Sequence, residues 1–142
     1  MYLTYDEYLD MGGADNLDEQ EFEDIEFEAR SYIDWYTFDR LTKETELSPR
    51  VKQCMYHIIK LIRDKMLALD NSGLNSSNNK GGNYQILSQS NDDVSVSYNV
   101  MSTKDALDMI KDDVDKNIRR YLQGVTNSLG RKLLYRGIYP DE

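Results

Sequence analysis

Three stretches of this chain carry apolar residues at steps of three and four, and that spacing leaves little choice of fold. Phe22, Ile25, Ala29, Ile33 and Tyr36 form the first series. Val51, Cys54, Met55, Ile58, Leu61, Ile62, Met66 and Leu69 form the second, and Leu107, Ile110, Val114, Ile118, Tyr121 and Leu122 the third. A period near 3.6 gathers each series on one side of a helix. Helices with a single apolar stripe are stable only when the stripes meet, so the fold class expected is mainly α, a small helical bundle. The second stripe is the widest, which makes its helix the central one. Ile58, Ile62, Met66, Phe22, Ile25, Ile110 and Val114 are the expected core.

Local signals place the ends. Thr4 followed by Glu7 is a capping box that opens a short leading helix, and Gly12 with Gly13 supplies left-handed residues to stop it. A longer helix runs from Asp18 to about Tyr36, its first turns crowded with acids that suit the helix dipole. Residues 37–47 read as a short turn plus linker. Ser48 before Pro49 starts the central helix, because proline tolerates a first turn that serine caps. Ser102 or Thr103 caps the third main helix, which should fray near Gly124.

Two segments escape the helical pattern. Residues 69–83, rich in Asn, Ser and Gly, read as a loop. Beyond them Val94, Val96, Tyr98 and Val100 alternate with polar residues, a period of two that predicts one β-hairpin over about 84–100. A lone hairpin is marginal in water, so this one is expected to lean on a neighbouring subunit. The other segment closes the sequence, LGRKLLYRGIYPDE. Leu133, Leu134, Tyr135, Arg136, Gly137, Ile138 and Tyr139 read as an extended docking segment whose apolar side chains a partner covers. Gly137 permits a close turn, Pro140 discourages a helix, and Arg136 suits a partner carboxylate. The competing reading folds the same residues onto their own core. The 142 residues form one domain: a helical core over about 4–69 and 102–123, a loop and hairpin over about 70–101, and a tail over about 124–142.

Charge narrows the partners. Residues 1–46 hold 15 acids against 3 bases, whereas residues 47–142 hold 11 against 14. So acidic a first third would repel a phosphate backbone rather than grip it. Cys54 is the only cysteine, which excludes a disulfide framework and a thiolate metal cluster. The N-terminus does not read as a signal peptide, and no apolar run approaches the ~20 residues of a membrane span. A soluble protein in a reducing compartment is expected.

No catalytic set emerges. His57 lies three residues from Cys54 on a core helix, with nothing nearby to orient a Cys–His pair. The acidic run 18–28 lacks the alternating oxygens and turning glycine of a calcium loop. Asp112, Asp113 and Asp115 do not share one helix face. Gly81-Gly82 has no following Lys-Ser/Thr for a phosphate loop. Lys116, Arg119, Arg120, Arg131, Lys132 and Arg136 form one basic cluster, with no recognition-helix or zinc-finger signature beside it. The chain reads as a non-enzyme without metal or cofactor.

The succession of segments carries more. LTYDEYLDMGG, then LDEQEFEDIEFEARSYIDWYTFDRL, then SPRVKQCMYHIIKLI, then LSQSNDDVSVSY, and finally YLQGVTNSLGRKLLYRGI resembles the small head–tail connector (adaptor) proteins of tailed phages and prophages. The likeness spans nearly the whole chain, SVSY and LLYRGI being its most telling parts. It departs from the expected pattern in the long NSSNNKGGN run and in SNDD, which stands where a glycine turn belongs. The resemblance implies a structural virion protein, made in the host cytoplasm, that forms a dodecameric ring beneath the portal protein. Such a ring would join the portal to a stopper or tail-completion protein and extend the channel through which DNA passes without specific binding. Two other readings stand beside it: a small, possibly dimeric helical adaptor that regulates another protein, and a nucleic-acid-binding module using the basic C-terminal part.

Overall fold

The computed structural model describes residues 1–71 and 103–142, with the side chains of 71 and 103–107 left aside. Among the described residues the chain is mainly helical. Four helices follow in order: α1 (Tyr5–Asp10), α2 (Glu19–Thr37), α3 (Pro49–Asn71) and α4 (Thr103–Leu122). The hairpin residues Val94, Val96, Tyr98 and Val100 lie outside the described residues.

The caps act as their chemistry requires. Thr4 Oγ1 accepts from the Glu7 amide at 3.2 Å while Glu7 Oε2 accepts from the Thr4 amide at 3.0 Å, closing the capping box of α1. The Asp18 carboxylate accepts from the Glu21 amide at 2.8 Å and caps α2. Of the two glycines after α1, only Gly12 is left-handed, with φ of 91°. Gly13 serves a different need. A Cβ there would fall inside the ring of Tyr8, which is buried against Phe22 and Tyr56.

Helix α3 is the hub, packing along α4 and α2, while α2 and α4 touch each other little. Its 23 residues span about 34 Å at ~1.5 Å each. Phe22, Ile25, Ile58, Ile62, Ile110 and Val114 are buried as the periodicity requires. Met66 is not: it is exposed near the far end of α3. Ile59, off the expected stripe, is fully buried instead, because a helix packed on two sides needs an apolar face wider than one stripe.

One acid of α2 points inward. Glu26 is 1% exposed, accepts from the Tyr2 amide at 2.7 Å and lies 3.7 Å from Arg30. It ties the start of the chain to the second helix, and a buried carboxylate persists only with such partners.

The C-terminal segment is not an extended tail. After α4, Gly124 (φ 78°) and Gly130 (φ 73°) reverse the chain, and Thr126 bridges Lys132 in an antiparallel pair. Asn127 Oδ1 accepts from the amides of Leu129 and Arg131 at 3.1 and 2.9 Å and shapes the turn. The Leu133 amide donates to the Val125 carbonyl at 2.9 Å, and both side chains join the core. Leu133 is therefore a core residue and not part of a docking strip. The physical reason is that α4 ends before the bundle is fully covered, and Leu133 fills the remaining apolar space.

Candidate docking surface at the Arg40 clasp

Helix α2 ends in a tight reversal. Phe38 and Asp39 both take left-handed backbone, with φ of 55° and 57°, and both amides donate to the Asp34 carbonyl. Non-glycine residues adopt this region at a cost of about 1 kcal/mol or more each. The reversal delivers two results: the Phe38 ring stands half-exposed at the surface, and Arg40 turns inward to 7% exposure.

Arg40 then holds the C-terminal segment. Nη1 lies at hydrogen-bond distance from the carbonyl oxygens of Lys132 (3.1 Å), Leu133 (3.2 Å) and Tyr135 (2.5 Å), and Nη2 donates to Gly137 at 2.8 Å. The Glu142 carboxylate closes the ring from the far side, accepting from Nε at 2.7 Å and Nη2 at 3.2 Å. Phe38 and Tyr139 stack against the guanidinium, with ring centres 5.1 and 5.0 Å away. A planar fork with five N–H groups is suited to gather several acceptors at once. The Arg40 bond holds the Glu142 carboxyl well below the usual carboxylate range, at about 2, with help from the Tyr139 amide. Arg131 adds a second strand of the clasp through Asp141 at 3.0 Å.

The surface that results is aromatic and firmly mounted. Trp35 is 73% exposed and Ile138 83% exposed, with Tyr135 and Phe38 each half-exposed. A cleft of about 750 Å³ opens between Trp35, Phe38, Leu134 and Arg136, with Asp115 and Arg119 on its far wall. Asp115 accepts from Arg119 Nε at 2.8 Å, and that bond lowers its carboxyl further below its ordinary value. Arg136 makes no ion pair among the described residues. Cleft, rings and the exposed Arg136 guanidinium, which lies within electrostatic reach of Asp115, together suit a protein surface with apolar and polar side chains.

The residues expected to dock thus divide. Leu133 belongs to the core, Leu134 is half-buried on the cleft wall, and Tyr139 is committed to the clasp. Tyr135, Arg136 and Ile138 remain outward. At Gly137 a Cβ would meet the tip of the half-exposed Tyr135 ring, which would have to shift to admit it. Sequence reasoning missed Trp35, Phe38 and Arg40. Phe27 and Trp35, eight residues apart, do mark a second aromatic pair on α2 opposite the core stripe; nothing in the sequence marks Arg40.

The other candidates have settled places. Cys54 is buried, and burial pushes its thiol up to about 12. His57 stacks flat on Tyr121, ring centres 4.9 Å apart at 10°. Burial, then Lys60 and Arg120, hold His57 below its ordinary value. Among the described residues no group of three or more His, Cys, Asp and Glu could hold a metal ion, and no helix is long and apolar enough to cross a membrane. No protein-family model, curated protein or solved structure matches this chain.

Proposed function

We propose that this chain is a structural subunit of a phage-type head–tail connector, forming a ring that docks on a portal protein and passes DNA through its channel. It acts as a non-enzyme, at the head–tail junction of the virion. The order of sequence segments suggests the class. The observation that carries the reading is the exposed set Trp35, Phe38, Tyr135 and Ile138, with the Phe38 ring and the Tyr135 backbone held by the Arg40 clasp.

A monomer gains nothing by displaying a tryptophan and an isoleucine in water. Aromatic residues with an arginine at the rim are the usual energetic centre of a protein interface. Pre-organisation matters as much as composition, because a mounted loop loses little entropy when it binds. A connector needs such a surface to hold its neighbour under load. The 15 acids of residues 1–46 suit a ring through which DNA passes without being gripped.

The test is co-sedimentation with portal-containing heads lacking the connector. Trp35→Ala and Ile138→Ala should each melt within a degree or two of the unaltered chain. Trp35→Ala should weaken docking by about 30-fold, the ~2 kcal/mol of a hot-spot residue. Undiminished docking of the double variant sinks the assignment of this surface. Failure of the unaltered protein to bind heads, with capture of a single soluble protein instead, favours the adaptor reading.

A further inference from the structure

We infer that copies of this chain dock head to tail, the acidic outer face of α2 around Phe27 seating on the basic seam between α3 and α4 of the next copy. The inference rests on the reading of the chain as a ring-forming subunit and names the two faces that make the ring.

The acceptor face is built around a flat pair of rings. His57 of α3 stacks on Tyr121 of α4, and the Gln53 side chain reaches His57 at 3.3 Å. Arg50, Lys60 and Arg120 surround this floor on the same two helices; Lys60 and Arg120 are close enough to disfavour a charge on His57. All three are exposed, and none makes an ion pair among the described residues. On the same helices Lys65 and Lys116 share Asp113, and Arg119 holds Asp115. The three seam cations have no acid paired to them among the described residues.

The donor face has the opposite character. Gln20, Glu23, Asp24, Phe27 and Ser31 recur at three and four along α2 and are all exposed. Glu23 and Asp24 have no ion pair among the described residues. Phe27 sits amid these polar residues, 62% exposed, with one side of its ring against Arg30 at 5.3 Å. An apolar centre inside a charged rim is the anatomy of an interface.

The occupant of the seam follows from charge complementarity within one molecule. Among the described residues no ion pair joins Glu23 or Asp24 to Arg50, Lys60 or Arg120, so these charges do not satisfy each other within the chain. A second copy brings them together. Because the two faces differ, the contact is heterologous and propagates around a ring instead of ending at a dimer.

The decisive experiment exchanges the charges. One variant carries Lys60→Glu with Arg120→Glu, the other Glu23→Lys with Asp24→Lys, and each is checked for an unchanged melting temperature. Sedimentation equilibrium in about 0.1 M salt should show the unaltered chain well above its 16.6 kDa monomer mass. Raising salt to about 1 M, where the Debye length falls from about 10 Å to about 3 Å, should return it toward the monomer. Each variant alone should be monomeric, since like charges then face each other. An equimolar mixture should assemble again, because the exchanged faces are complementary between the two. A mixture that stays monomeric, variants that assemble alone, or an unaltered chain monomeric at low salt each overturn the inference. Docking of the unaltered chain on heads is scored separately: if it persists while the exchange fails, other faces make the ring and the connector reading stands. If the exchange succeeds while docking fails, the faces are right and the connector reading falls.

Discussion

Arg40 and Glu142 lie 102 residues apart in the sequence and meet in a two-pronged pair, Nε to Oε1 at 2.7 Å and Nη2 to Oε2 at 3.2 Å. The pair closes a loop of chain whose other hydrogen bonds from the same guanidinium go to backbone carbonyls. One side chain thereby decides the path of the C-terminal segment.

Replacing Arg40 by alanine should therefore be among the costliest single changes outside the apolar core. It strips four carbonyls and a carboxylate of their shared donor, and breaking a buried charged cluster costs about 3–5 kcal/mol. Arg40→Lys keeps the charge but not the fork, and should recover less than half of the loss. Urea unfolding of the three proteins measures this. An unchanged midpoint for Arg40→Ala would show that the clasp adds nothing to the fold.

The same pair predicts an acid-sensitive segment. Glu142 titrates near 2 in the fold against an ordinary 4.5. A depressed folded value means that the unfolded chain binds the proton more readily, so stability rises with pH between these two values. The contribution is complete above about 4.5 and disappears as pH falls through 2. Glu142→Gln should melt below the unaltered chain at about pH 6, and the gap should close toward about pH 2. A gap that does not change with pH would remove Glu142 from the account.

Gly13 should tolerate no side chain. Its backbone is ordinary, so the obstacle is space alone: the Tyr8 ring occupies the position of a Cβ. Tyr8 is packed against Phe22 and Tyr56, with ring centres 5.2 and 5.7 Å away, and has nowhere to go. Gly13→Ala should cost about 1–3 kcal/mol, the range for overpacking. Thermal melts decide it.

Two apolar residues one turn apart on α3 should behave differently. Ile62 is buried, and Ile62→Ala should cost about 2–5 kcal/mol. Met66 is exposed, and Met66→Ala should stay within about 0.5 kcal/mol. Equal losses at the two positions would mean that the far end of α3 is covered after all.

Much of this was legible in advance because it is local. The capping box at Thr4 and Glu7 and the Ser48-Pro49 start each depend on residues within a few positions of one another. Met66 and Ile59 were misjudged for the opposite reason. Whether a residue at the edge of a stripe is covered depends on where the neighbouring helix stops, which periodicity does not encode. The docking segment was misjudged in part on the same ground. Leu133 looks like Leu134 and Ile138 in the sequence, and only the geometry of α4 makes it core.

By itself, then, the sequence determined the helical class, the order of helices and most of their buried faces, since hydrophobic period and capping act over one or two turns. Tertiary structure alone decided the rest. Phe38 and Asp39 take up left-handed backbone only because the reversal after α2 delivers Arg40 to carbonyls some 90 to 100 residues away. Bonds of that span leave no periodic trace, because the backbone carbonyls that receive them are the same at every residue.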